Sequence, residues 1–376
     1  MLKAFLPLIL IILVLALLLF SALFIPRLSE LNAQPTRVDQ DMDKYIAKIV
    51  EAQVLVTRDG GQSWQISFTG PEKGKDFVAV DCPNSKFCFL VMIEARFFVT
   101  TDQGQSWTEK KAPGGFLGNE FTRISCPDAT TCYLMSDREV FVTRDSGTTW
   151  ANVTPPEYRN IPYPGKLRGF DCRDTQNCVM SNLAGEVAVT TDGAATWHIT
   201  GPKDNSQLTS VECILYETCI VGGSYAGTAI TLTTNDNGQT WNINQVGISQ
   251  SISNLSCPTT NKCFAAGVSR PAKGETYGKS LLLSSLDRGV SWTGLIPDKA
   301  YPARDLTCPA ENNCLSEALD YEISVTQDAG LHWTNFKTNQ GREIKMVKCI
   351  STEICFVLAS SSQYPSSSGW LKDSSL

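Results

Sequence analysis

From Phe121 the chain alternates apolar and polar residues, Phe121-Thr122-Arg123-Ile124-Ser125, as a half-buried strand does. Cys126-Pro127-Asp128 turns it, and Cys132-Tyr133-Leu134-Met135 returns as an apolar run. A second hairpin follows. Glu139-Val140-Phe141-Val142-Thr143 reads as a strand, an Asp- and Gly-bearing turn reverses it, and Trp150 opens an outermost strand. The pattern predicts four antiparallel strands in two hairpins.

This unit recurs. The phrase Ser/Thr-x-Asp-x-Gly-x-x-Trp carries Asp59, Asp102, Asp145, Asp192, Asp236, Asp287 and Asp328, at steps of 43, 43, 47, 44, 51 and 41 residues. Such a period is that of a propeller blade. The predicted fold class is all-β, a seven-bladed β-propeller with four-stranded antiparallel blades. In each turn Asp can accept backbone hydrogen bonds, Gly permits a positive φ, and Trp supplies an apolar packing face. The fourth copy carries Ala194 at the glycine position, which predicts an altered turn. The first phrase, within residues 53–67, has no cysteine pair before it, and the last pair has no phrase after it. C-terminal strands are therefore expected to form the inner half of one blade and N-terminal strands its outer half, hiding the sheet edges. The ring is expected over residues 49–360, with a Ser-rich tail at 361–376.

All 14 cysteines fall into pairs with five residues between partners: Cys82/Cys88, Cys126/Cys132, Cys172/Cys178, Cys213/Cys219, Cys257/Cys263, Cys308/Cys314 and Cys349/Cys355. Structural zinc favours shorter spacings, often with histidine partners, and this chain has only His198 and His332. One local disulfide per blade fits better, and it requires an oxidising compartment.

Ala4 to Pro26 is 23 residues without a charge. As a helix it would span roughly 34 Å, enough for a bilayer core of about 30 Å. The run exceeds the apolar core of a cleaved signal peptide, and no small-x-small site follows it. The expectation is a transmembrane signal anchor at 1–26, a polar linker at 27–48, and a propeller outside the cytosol, whether periplasmic, extracellular or at the cell surface. Net charge is −6 with no long run of one sign, so composition gives nucleic-acid binding no support.

The recurrent phrases resemble Asp boxes, also called BNR repeats, across nearly all of residues 53–358. That superfamily includes sialidases, sortilin-type receptors and photosystem II stability and assembly factors. One box per blade is most similar to the assembly-factor group, whereas the regular cysteine pairs are not part of its pattern. The resemblance implies that the boxes lie between third and fourth strands, away from the catalytic face, with structural rather than catalytic aspartates.

By the same topology the cysteine turns and boxes share one face. The opposite face carries the variable loops. An insertion at 154–169 holds Tyr158, Arg159, Tyr163, Lys166 and Arg168, and another at 269–280 holds Arg270, Lys273, Tyr277 and Lys279. Scaffold-mounted loops with aromatic and Arg anchors commonly bind partners. Three or four residues before a cysteine stand Arg123, Arg168, Arg304 and Lys345, which would converge on the channel mouth and accept an anion. Salt bridges to Asp76 and Asp305 are the competing account. A Phe-Arg-Ile-Pro motif, a Ser-His-Asp set, a phosphate loop and a metal motif are all missing. The expected function is a non-catalytic protein-binding, assembly or surface-interaction module without cofactor or metal. The alternatives are a sialidase-like glycan-active or glycan-binding propeller and a structural surface protein forming a lattice or filament.

Overall fold

A computed structural model describes residues 48–110, 113, 121–159, 166–214, 217–247, 249–269, 280–295, 305–317, 322–337 and 341–363. The expected anchor and nearly all of the linker lie outside these residues, as does the tail from 364. Among the described residues no helix is long and apolar enough to cross a membrane.

The strands form seven antiparallel sheets, each a four-stranded meander, and one of them gains a two-residue strand, Lys48–Ile49. Blades 1 to 6 occupy residues 77–110, 121–152, 167–200, 207–246, 251–295 and 306–337 in order. Blade 7 is the join. Its inner strands are Arg342–Cys349 and Cys355–Gln363, and its outer strands are Glu51–Thr57 and Gln65–Lys73. Thr57 pairs with Cys355 and Gln53 with Ala359, so the chain ends are stitched together by sheet hydrogen bonds, as the unmatched repeat halves implied. The last strand continues through Gln363, beyond the expected boundary at residue 360.

Seven disulfides bridge the expected pairs, one per blade: Cys82–Cys88, Cys126–Cys132, Cys172–Cys178, Cys213–Cys219, Cys257–Cys263, Cys308–Cys314 and Cys349–Cys355. No described cysteine is free. Each bridge closes a short loop between first and second strands, worth about 2 kcal/mol by the chain-entropy estimate. The second partner of each pair opens the second strand and is buried in the sheet. There it stands opposite the hydroxyl residue that begins an aspartate phrase. Cys88 pairs with Thr100, Cys132 with Thr143, Cys178 with Thr190 and Cys219 with Thr234. Cys263 pairs likewise with Ser285, and Cys314 with Thr326.

The aspartate turns are built alike. Thr57 Oγ1 donates to Asp59 Oδ1 at 2.7 Å and accepts the Gly61 amide at 2.9 Å, while Asp59 Oδ1 accepts the Ser63 amide at 2.9 Å. The residue after each aspartate and the one following both have positive φ, which explains Gly at the second place. The first of the two turns its amide onto a carbonyl of the cysteine loop. Gly60 donates to Glu353 at 3.0 Å, Gln103 to Lys86 at 3.1 Å and Ala329 to Asn312 at 2.9 Å, with the same bond in the other four blades. The two sequence repeats are thus bonded to each other on one face.

Ala194 does not alter its turn. Its φ is 67° and its amide donates to Thr190 Oγ1 at 2.9 Å, as glycine does elsewhere. Its methyl is buried against blade 2 in a cluster with Tyr133 and Val142. The corresponding glycines of the other turns lie closer to the preceding blade. A Cβ on Gly238 would stand 2.5 Å from Val189 Cγ2, and one on Gly289 would stand 2.7 Å from Ile220 Cδ1. The core accordingly sits between blades, in clusters that each draw on two neighbours.

Two measurements check this account. Gly238→Ala is expected to cost about 2 to 4 kcal/mol in chemical denaturation, from left-handed strain plus overpacking. Ala194→Gly is expected to change stability by less than about 1 kcal/mol. Thiol titration of the unfolded, unreduced protein is expected to find almost none, and reductant is expected to lower the melting temperature.

Candidate functional site

The first strand of every blade lines a central channel of about 380 Å³. The residue just before six of the seven first cysteines clasps the next blade by accepting its first-cysteine amide. Asp81 Oδ2 accepts the Cys126 amide at 2.7 Å, Ser125 Oγ accepts that of Cys172 at 3.0 Å, and Asp171 Oδ2 accepts that of Cys213 at 2.8 Å. Glu212 Oε1 accepts the Cys257 amide at 3.0 Å, Ser256 Oγ that of Cys308 at 2.9 Å, and Thr307 Oγ1 that of Cys349 at 3.2 Å. Blade 7 breaks the pattern with Lys348, whose ammonium cannot accept. Its Nζ instead meets Asp81 Oδ1 at 2.8 Å and closes the ring electrostatically.

These groups perturb one another. Asp81 beside it raises the Lys348 pKa against its burial, with further help from Asp171 and Glu212. Burial pushes Glu212 up to about 8, reinforced by Asp171. Burial also raises Asp171, although its oxygens accept from Ser125 and Cys213. A level further along, Asp305 takes Asn254 Nδ2 at 2.7 Å and the Val347 amide at 2.7 Å, and burial pushes it up to about 6.

A β-bulge falls within the stretch that carries the expected basic residues. In six of the seven inner strands the register shifts across the residue four before the cysteine: Val78, Thr122, Arg168, Thr209, Ser253 and Lys345. Arg123, one residue later, lies inside the channel, where water reaches it although protein encloses it. That burial lowers its pKa, Asp305 opposes the shift, and neighbouring Arg168 adds to it. Lys345 pairs with Glu343 at 2.8 Å and approaches Asp76 at 3.8 Å. Acids outnumber bases along the lining, with Asp81, Asp171, Glu212, Asp305, Glu317 and Glu343 against Arg123, Lys345 and Lys348. Arg304 lies outside the described residues.

On the face opposite the aspartate turns, the 154–169 insertion begins with a short 3₁₀ turn, Pro156–Tyr158. Tyr158 is 3% exposed and packs beneath the loop with Val140 and Leu167. Burial raises its phenol pKa, and nearby Glu186 adds to the shift. Arg159 is exposed, with Nε 3.3 Å from the Thr154 carbonyl. Lys166 pairs with Asp137 at 2.8 Å, and its carbonyl accepts the Leu183 amide at 3.1 Å, so it lies between the turns of blades 2 and 3. Tyr163, Arg270 and Tyr277 lie outside the described residues.

The seven turn aspartates are fastened as structural acids. Hydroxyls of Ser63, Ser106, Thr149 and Thr196 hold Asp59, Asp102, Asp145 and Asp192 at about 2, far below what a general acid needs. The second cysteine of each pair is likewise withdrawn from the surface. Cys88, Cys132, Cys178, Cys219, Cys263, Cys314 and Cys355 are buried as well as bridged, so they brace the blades and offer no thiol or metal ligand. The sequence reading missed the channel clasp, although its signal stood in the chain: Asp, Ser, Asp, Glu, Ser, Thr and Lys directly before the first cysteines.

No protein-family model and no curated protein matches this chain. Among solved structures it is similar to YCF48 bound to D1 peptide, at 16% identity and TM-score 0.59, over 77% of this chain and 93% of that one. YCF48 from Cyanidioschyzon merolae is similar at 13% identity and TM-score 0.59, over 77% and 94%. The GH74 xyloglucanase from Xanthomonas campestris shares 12% identity at TM-score 0.59, over 77% of this chain and 51% of the enzyme. This chain therefore spans about half of that enzyme's length. At such identities the likeness establishes the propeller fold.

Linkage gives the sign of the clasp's pH dependence. Glu212 titrates higher in the ring than its ordinary 4.5, so folding takes up a proton and its burial costs stability as pH rises toward about 8. Glu212→Gln keeps an acceptor for Cys257, and its melting temperature is expected to gain several degrees on the parent between pH 5 and pH 9. Lys348→Met strands the facing carboxylates and is expected to cost about 3 to 5 kcal/mol at pH 7 in chemical denaturation, less at pH 5.

Proposed function

We propose that this propeller is a non-catalytic, protein-binding module that works outside the cytosol, held at a membrane by residues 4–26 and serving as an assembly or surface-interaction platform. One observation carries the reading. The carboxylates of the aspartate turns and of the channel clasp are engaged in joining strands and blades, which leaves the loops of the opposite face to provide selectivity. Arg159 and Lys166 stand on the first of those loops, Arg168 follows at the start of the adjoining strand, and Tyr163 belongs to the same insertion. Seven disulfides support an oxidising compartment. Lys48 pairs with Gln363 at the strand ends remote from Thr57 and Cys355, so the described chain begins on this same loop face. A similar fold has been solved as YCF48 bound to D1 peptide, which supports peptide recognition by rings of this architecture.

The glycan-active alternative draws support from the GH74 neighbours. The Tyr158–Glu186 pair counts against a nucleophilic tyrosine, because the phenol is buried and its pKa is raised, whereas an activated nucleophile needs the reverse. The acid-rich channel likewise disfavours a sugar acid.

Combined replacement of Arg159, Tyr163 and Arg168 by Ala is expected to weaken capture of crosslinkable partners at least about tenfold, since interface anchors each contribute on the order of 1 to 2 kcal/mol. The melting temperature is expected to stay unchanged. Undiminished capture removes this face from the account. A fluorogenic sialoside is expected to show no turnover, and turnover would overturn the non-catalytic reading.

A further inference from the structure

Each blade ends in an outer strand whose free edge invites pairing with another sheet. Among the described residues six of these edges are blunted. Blade 1 offers three residues, Thr108–Lys110, with Glu109 tied to Arg96. Blade 2 offers two, Ala151–Asn152, followed by Pro155 and Pro156. Blade 3 offers three, His198–Thr200 ahead of Pro202, and the described outer strand of blade 5, Thr293–Leu295, carries Gly294 and precedes Pro297 in the sequence. Blade 6 ends on Lys337, which faces Glu322. The long edge of blade 7 is broken by two register shifts and finishes on Pro71, Glu72 and Lys73.

Blade 4 carries none of these devices. Its outer strand, Asn242–Val246, has five residues with no charge and no proline, paired to Ala229–Thr233 in an unbroken register. Ile243 on it is 51% exposed.

We propose that this edge pairs antiparallel with the same edge of a second copy of the chain, joining two rings through one continuous sheet. A two-fold axis at Asn244 places Ile243 opposite Gln245 and Asn244 opposite its own copy, where the amides hydrogen-bond as stacked Asn and Gln side chains do. A charged edge would bring like charges near one another across such an axis, and this strand has none. Asn244 Nδ2 reaches Thr233 Oγ1 and the Asn242 carbonyl at 3.4 Å each, long contacts that a partner strand's amide replaces. Five residues span about 17 Å, so the interface is small and the association weak, in the class of transient contacts.

Photo-crosslinking of the full chain tests the proposal. A benzophenone side chain at position 244 is expected to yield a product of twice the 41.1 kDa mass, with peptides linking position 244 to residues 242–246 of the second copy. The same probe at Thr108, on the blunted edge of blade 1, is expected to yield at least tenfold less. Ile243→Lys in the position-244 background is expected to abolish the product without changing the melting temperature. A product of equal strength from Thr108, capture of a different protein alone, or a doubled species that survives Ile243→Lys would overturn the proposal. So would the absence of any doubled species at high protein concentration.

Discussion

The hydrogen bond from the first cysteine amide of one blade to the side chain before the first cysteine of the preceding blade is the contact on which the ring depends. It recurs across six blade boundaries, and at the seventh Lys348 meets Asp81 instead. Buried amides must find acceptors, so a ring of inner strands needs one acceptor per joint. Carboxylates serve at three joints and hydroxyls at three. Concentrating Asp81, Asp171 and Glu212 in one channel would repel, and the ammonium of Lys348 among them offsets that repulsion. Closure of the ring and partial neutralisation of its channel are one event. It occurs on Arg342–Cys349, the first strand of the blade that also holds the N-terminal strands.

This arrangement divides the molecule by role. On one face, cysteine loops and aspartate turns are bonded to each other in every blade, and bulky side chains of the preceding blade fill the space beneath the turn glycines. Little there can vary without breaking a bond or a packing contact. On the other face insertions such as 154–169 are accommodated, and a 3₁₀ turn, a buried tyrosine and the Lys166–Asp137 pair pin the described part of that one. Length variation collects where the fold asks least of the chain.

Much of this was legible in the sequence because it rests on local chemistry. A turn with two consecutive left-handed residues selects Asp and Gly at fixed offsets, so its seven copies announced themselves, and the cysteine spacing announced its loops. What the spacing did not announce is that the second cysteine, as at Cys88 or Cys314, stands opposite the hydroxyl of an aspartate phrase, a register set across the sheet. The unmatched half-repeats at the two ends identified the joining blade correctly. Ala194 was misread, because a positive φ disfavours a methyl only mildly while the available room depends on the neighbouring blade. Counting back from the cysteine crosses a β-bulge, so residues three and four before it take different places in the register, while Arg123 and Lys345 both line the channel. The bulge leaves no residue-type signature, since Val, Thr, Arg, Ser and Lys all occupy it.

By itself the sequence determined the number of blades, the pairing of cysteines and the blade at which the ring joins, each encoded in contacts spanning a few residues. Tertiary structure alone decided what the channel is. Asp81, Asp171, Glu212 and Lys348 are far apart along the chain and meet only when the ring closes. The shifted protonation of Asp171, Glu212 and Lys348 follows from burial and mutual distance, quantities that exist only in the assembled ring.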